Sequence, residues 1–286
     1  MKDTNILITG WKCPKIESWM LDQAPGLDLV AHSAGSVKTL LPLDAYGRVT
    51  VVSAAAAMAP AVAELALSAI LMMLRRPHQY DAGIREGTLK AWGSSSGEIL
   101  GREVCGSRLL VVGASRVGRS LVSFAKALGA DVRVSDPYLA SGDAADMGVV
   151  NDSLDALLPW CDVLSLHTPL TEETRGLIGP GQLALLRDGA LVVNTARGAL
   201  MDQGALLREL QNGRLNAALD VFEKEPLPAG DPLGSIDNVL LLPHMGAATE
   251  QARRRQGELV VEEIERFMTG RPLRHAVDVE QLAILA

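Results

Sequence analysis

His244, Arg197, Asp220 with Glu225, and His167 each stand at or just beyond the end of a short apolar run. Histidine takes and gives protons near neutral pH, so a strand-end histidine can serve as an acid and base. His244 follows VLLLP and precedes Met245, Gly246, Ala247 and Ala248, small or flexible residues that leave space for a ligand. Taken alone it is equally a strand-end histidine without a role. Glu225 could bond to that imidazole and raise its pKa, keeping it protonated to nearer neutral pH, and Glu223 is an equal candidate. Arg197, in NTARGAL, carries a planar fork that can grip a carboxylate or a carbonyl oxygen through two parallel hydrogen bonds, or else make a surface ion pair. His167, followed by Thr168 and Pro169, suits a structural role lining a groove.

A second kind of chemistry resides in RLLVVGASRVGRSLVSFAKALGADVRVSDP, Arg108 to Pro137. Leu109 to Val112 is an unbroken apolar run, as in a strand buried on both faces. From Val117 the apolar residues Leu121, Phe124, Ala125 and Leu128 keep a helical period, and Gly129 ends it. Val132 to Ser135 returns as a strand. A helix N-terminus after a tight turn offers unpaired N–H groups and partial positive charge to a pyrophosphate. Gly113 permits the turn and Gly118 close packing of helix on sheet, while Ser115 replaces the middle glycine of GxGxxG. Asp136 is placed to accept from a ribose 2′-hydroxyl and to repel a 2′-phosphate, which favours NAD over NADP.

The elements that must position these groups alternate. Strands are expected at Asn5–Thr9, Leu27–Ala31, Val49–Val52, Val163–His167, Ala190–Asn194, Asn216–Val221 and Val239–Leu242. Helices are expected at Ile16–Gln23, from Pro60 in a first turn to about Arg76, near Ser153–Leu158, near Pro180–Arg187, at Gln203–Gln211 and at Ala248–Thr269. Gly83 to Gly106, with SSSG at Ser94–Gly97, reads as a polar surface connection, and Leu273–Val279 as an extended strand returning to the N-terminal part. Such βα alternation predicts an α/β fold with a doubly wound parallel sheet, whose ligands bind beyond the carboxyl ends of the strands. HSAGS after Ala31 brings Ala34 and Gly35, small enough for backbone N–H groups to approach a ligand, although from the residues alone it is an ordinary turn.

At 286 residues the chain can hold two domains, with a core of Ala, Val and Leu, since 48% of residues are hydrophobic and 3% aromatic. A net charge of −7 offers no basic surface to nucleic acid or anionic lipid. Cys13, Cys105 and Cys161 are isolated, neither a disulfide framework nor a metal cluster, and read as reduced thiols of a cytoplasmic protein with no secretory signal. Val51–Leu74 is long enough to span a membrane, but Pro60, Glu64 and its many alanines fit a helix buried between protein surfaces.

From Ala31 to Val279 the chain resembles the D-isomer-specific 2-hydroxyacid dehydrogenase family, through VVGASRVGRS with DP, HTPLTEETRGLI, LVVNTARGALMD, AALDVFEKEPLP and LLPHMGAAT. The resemblance implies a Rossmann domain, 58–246, binding NAD, and a smaller flavodoxin-like substrate domain from 1–57 and 247–286. It implies that Arg197 binds a substrate carboxylate, with amides of Ala34 and Gly35, that His244 is the acid and base, and that Glu225 orients it. Cofactor contacts would come from Gly113, Ser115, Arg116, Val117 and Gly118 in the turn, and from Asp136 and Pro137 after the next strand. His167, Thr168, Pro169, Thr195, Ala196 and Gly246 would add to them, and Asp220 would hold the nicotinamide amide. The implied partners are a small 2-oxo or 2-hydroxy acid and a second copy, the helix from Pro60 helping to form a homodimer.

GASRVG marks a branch of that family, Met58 stands where many members place asparagine, and Lys38 where a polar loop residue is usual. Glutamate at 225 argues against the formate dehydrogenase branch. Aligned with the family, the start lacks the first strand–helix unit of the substrate domain, which predicts an uncovered sheet edge. Two other readings share this fold: a non-catalytic NAD(H)-sensing protein resembling corepressors, and an inactive shortened homologue.

Overall fold

The computed structural model describes residues 3–88, 101–279 and 282. The chain divides into two compact units, 1–61 with 247–286, and 62–246.

The larger unit holds a seven-stranded, wholly parallel sheet. Its strands are β4 (Arg108–Val112), β5 (Asp131–Ser135), β6 (Val150–Asn151), β7 (Val163–Leu166), β8 (Leu191–Asn194), β9 (Asn216–Leu219) and β10 (Val239–Leu241). In space they run β10-β9-β8-β7-β4-β5-β6, so the order reverses between β4 and β7. Side chains alternate across a strand, and in the central strands both sides are apolar. Leu110, Val112, Leu164, Leu166, Val192 and Leu219 enter one core with α6 (Leu154–Leu157), α7 (Pro180–Leu185) and α8 (Gln203–Gln211). Leu109, Val111, Val163, Leu191 and Val193 enter the other, against α4 (Arg116–Ala127), α5 (Ser141–Met147) and the second half of α2 (Ala55–Arg75). Gly129, at φ +83°, follows the end of α4 in the left-handed region that favours glycine.

The smaller unit has a three-stranded parallel sheet of β1 (Ile6–Thr9), β2 (Leu29–His32) and β3 (Thr50–Ser53), in that order. α9 (Glu250–Met268) covers β2 and β3 through Val260, which joins Leu29, Ala31, Val52 and Ala54. The other face is closed by α1 (Ser18–Asp22) and the turn around Ala45, with Leu21, Val30, Leu40 and Val51. Among the described residues nothing pairs with the outer edge of β1.

Several expectations need correction. The helix expected to open at Pro60 begins at Ala55, with Pro60 inside it. Ser53 Oγ accepts from Ala55 N at 3.2 Å, the first N–H of the helix, and the missing proline N–H removes only one bond near its beginning. The apolar stretch from Val51 is split between β3 and α2. α2 is long and apolar enough to cross a membrane by length and composition, and 50% of that stretch is buried within the fold. The connection expected from Gly83 starts later, because Gly83 lies in α3 (Pro77–Arg85), and Ser94–Gly97 fall outside the described residues. The tail at 273–279 does return to β3, but as one antiparallel bridge, Val52 to Ala276. Its preceding amides are taken elsewhere: the buried Glu263 carboxylate accepts from Arg274 N at 3.0 Å and His275 N at 3.1 Å. α3, α5 and β6 are not among the expected elements.

Candidate active site

In the larger unit every loop that follows a strand leaves the same end of the sheet, because all the strands are parallel. The loop after β8 carries Arg197. Asn194, the last residue of β8 and fully buried, holds it from both sides: its Oδ1 accepts from Ala196 N at 3.0 Å and its Nδ2 donates to Arg197 O at 2.8 Å. A Cβ on Gly198 would run into the Phe222 carbonyl, so this loop presses directly on the one that follows β9. Arg197 Nη1 donates to Ala196 O at 2.7 Å, and no carboxylate among the described residues lies within ion-pair distance of the guanidinium. Burial pulls its pKa down while the charge of Glu225 pulls it up. A partly buried cation without a carboxylate of its own is a seat for an anion.

After β9, Asp220 is 1% exposed and uses both oxygens on the next strand's loop, accepting from Met245 N at 2.8 Å and Gly246 N at 2.9 Å. Burial raises its pKa, and those two bonds oppose the rise. Glu225 Oε1 accepts from Phe222 N at 3.1 Å, leaving Oε2 to meet His244 Nδ1 at 2.6 Å. Of the two acids that the sequence left equal, the structure pairs Glu225 with the imidazole, while Glu223 is fixed through its own N–H to Gln203. His244 sits at φ +55°, a left-handed conformation costly for a residue with a β-carbon. Its side chain is half exposed, and Nε2 has no partner among the described residues.

The β4–α4 turn is as tight as the motif requires. Gly113 has φ +93°, and a Cβ there would lie 2.8 Å from Thr168 N and 2.9 Å from the His167 carbonyl carbon, while one on Gly118 would strike Gly113 O. Ser115 is the N-cap of α4, its Oγ accepting from Gly118 N at 3.3 Å. The hydroxyl in place of the middle glycine thus stabilises the helix start, and the first N–H groups, at Arg116 and Val117, lack intrahelical acceptors. Asp136 directs Oδ2 to Ala114 N at 2.7 Å and Oδ1 to Tyr138 N at 2.8 Å, which fixes its carboxylate beside the turn and leaves further lone pairs for a hydroxyl. Pro137 follows on the surface.

His167 is buried, its Nε2 2.8 Å from Ser165 Oγ, and burial drives its pKa down to about 3, so it is neutral. Thr168 and Pro169 lead into a turn in which Thr174 Oγ1 donates to Pro169 O at 2.7 Å. Thr195 Oγ1 is a buried polar atom with no partner among the described residues, beside the arginine loop. A tight glycine turn at a helix start, an acid one strand on and an orphaned hydroxyl together fit a dinucleotide. Ala34 and Gly35 lie in the smaller unit, in the loop after β2, where Gly35 O accepts from Ser53 Oγ at 2.6 Å. The sequence reading missed Asn194 and Gly198. The polar end of the otherwise apolar LVVN was the available signal for the first, and nothing local marks the second.

Residues 67–246 match the family described as D-isomer specific 2-hydroxyacid dehydrogenase, NAD binding domain. The D-3-phosphoglycerate dehydrogenase of Methanocaldococcus jannaschii is 34% identical over 99% of this chain and 53% of its own length. The glyoxylate reductase of Korarchaeum cryptofilum is 34% identical over 94% of this chain and 81% of its own. The TT0316 protein of Thermus thermophilus superposes with a TM-score of 0.85 at 33% identity, over 97% of this chain and 87% of that one. The chain spans about half the length of the phosphoglycerate dehydrogenases it matches. With more than half of its residues in that match, the chain belongs to the D-isomer specific 2-hydroxyacid dehydrogenase family, and its larger unit is an NAD-binding domain of that family.

Proposed function

We propose that the protein interconverts a small D-2-hydroxy acid and its 2-oxo acid with NAD(H). The observation that carries this is the 2.6 Å pair of His244 Nδ1 and Glu225 Oε2, in the same unit as a guanidinium with no carboxylate partner and a dinucleotide turn. Arg197 grips the substrate carboxylate. His244 Nε2 takes the hydroxyl proton in the oxidative direction and returns it in the reductive one. Glu225 fixes the tautomer through Nδ1 and stabilises the imidazolium that forms. Asp220, by holding Met245 and Gly246, keeps the His244 backbone in its left-handed conformation. The α4 start, Asp136 and Thr195 bind the cofactor, which supplies the hydride acceptor and donor when bound. In the smaller unit, the amides of Ala34 and Gly35 are offered to an anion.

The names of the relatives support small 2-oxo acids as the substrate class. Isolated free cysteines support a cytoplasmic location. Exposed apolar residues on α2 and α3, Leu71, Tyr80 and Ile84, support a homodimer, which light scattering would check.

The test is NADH consumption with a panel of 2-oxo acids from glyoxylate to phenylpyruvate, with NADH binding read separately. Turnover is expected with at least one member. His244→Ala is expected to lower kcat by about 10²- to 10⁴-fold while NADH binding persists. Tight NADH binding with no turnover across the panel would replace the enzyme with an NAD(H)-sensing protein.

A further inference from the structure

Tyr138 lies two residues beyond Asp136 and is 72% exposed, yet it is held at both ends. Its N–H donates to Asp136 Oδ1 at 2.8 Å, and its hydroxyl reaches Glu173 Oε2 at 3.4 Å. Asp136 itself is fixed by Asn151, whose side chain accepts from Asp136 N at 3.0 Å and donates to Asp136 O at 2.9 Å. Glu173 belongs to an equally firm post. The Thr171 and Thr174 hydroxyls cap each other's turn, with Thr171 N to Thr174 Oγ1 at 2.8 Å and Thr174 N to Thr171 Oγ1 at 3.2 Å.

The two posts stand on opposite sides of the glycine turn. β4 lies between β5 and β7, so the loop after β5, with Tyr138, and the loop after β7, with Glu173, flank the loop that starts α4. The bond from Tyr138 to Glu173 therefore joins the two loops that flank the α4 start, beside Asp136. We propose that Tyr138 and Glu173 form a strap over the adenosine end of bound NAD(H), and that this strap slows its release. The inference rests on the dinucleotide reading above. An exposed bond of 3.4 Å opens readily, as a strap that admits a ligand must, and its closure lengthens the bound lifetime.

Stopped-flow displacement of NADH fluorescence from the full chain tests this, with Tyr138→Phe, Glu173→Gln and the double variant. Phe keeps the ring and Gln the shape, and both sites are exposed, so folding is preserved, as circular dichroism would verify. Each single variant is expected to release NADH roughly three- to tenfold faster, the worth of one modest hydrogen bond. The double variant is expected to release it no faster than the faster single, because one bond is removed either way. Release rates unchanged in both singles, or effects that multiply in the double variant, overturn the strap while leaving NAD binding intact. Failure of the unaltered chain to bind NADH overturns the strap and the proposed function together.

Discussion

Arg197 shows what one residue contributes here and what it needs from others. Its fork is useful only if the loop holds it, and Asn194 and the absent side chain of Gly198 do that. Arg197→Lys keeps the charge but loses the bidentate geometry, and KM for a 2-oxo acid should rise by roughly 10- to 100-fold, more than kcat falls. Asn194→Ala should raise KM in the same direction and destabilise the unit by about 1–3 kcal/mol in urea unfolding, because it strands a buried N–H and a carbonyl. His167 sets a pH dependence. Unfolded, it binds a proton below about 6.5, whereas folded it does not until about pH 3. Between those values the unfolded state holds more protons, so stability falls as pH falls, by about 1.4 kcal/mol per unit from this one group. His32, whose pKa burial also lowers, acts with the same sign. Urea unfolding at pH 6.5 and 5.0 should show the loss, and His167→Gln should flatten the slope by about that amount.

At the level of elements, legibility tracked how strongly each one was over-determined. β4, β7 and β8 are apolar on both faces, and α4 and α8 carry a helical period with clear ends, so the sheet and the turn it supports could be read directly. The α2 start could not, because Pro60 is a strong local signal while the helix begins five residues earlier, within a run of alanines with no period. The composition of the tail allows a full strand. A buried carboxylate from a distant helix, Glu263, takes two of its amides instead. The setting of His244 marks it as a candidate, but its left-handed backbone, beside the two amides that Asp220 holds, has no trace in the residues around it. The doubly buried strands carry a prediction of their own. Leu110, at 0% exposed in the centre of the sheet, packs in a core closed by several elements, and Leu110→Ala should cost about 2–5 kcal/mol in urea unfolding because that core cannot collapse onto the gap.

For the whole molecule the contrast is between two sheets of unequal protection. In the larger unit β4, β7, β8 and β9 each have a strand on both sides and a core on both faces. Among the described residues of the smaller unit only β2 has two neighbouring strands, and β1 leaves Ile8 60% exposed at an edge without a partner. Opening of an inner strand needs both cores disrupted, whereas an edge strand opens locally. Amides of β4, β7 and β8 should therefore exchange with solvent hydrogen most slowly, and those of β1 should be the fastest among the strands of both sheets with three or more residues. NADH should add protection where it binds. At a hundredfold excess over Kd the bound state gains about 2.7 kcal/mol, so amides of β4 and α4 that exchange only by unfolding of their unit should slow by roughly a hundredfold. β1 should exchange by local opening and gain little. Hydrogen exchange followed by mass spectrometry, with and without NADH, reads both parts. Protection of β1 equal to that of β4 without ligand would overturn the edge argument, and protection spread evenly over both sheets on adding NADH would overturn confinement of the cofactor to the larger unit.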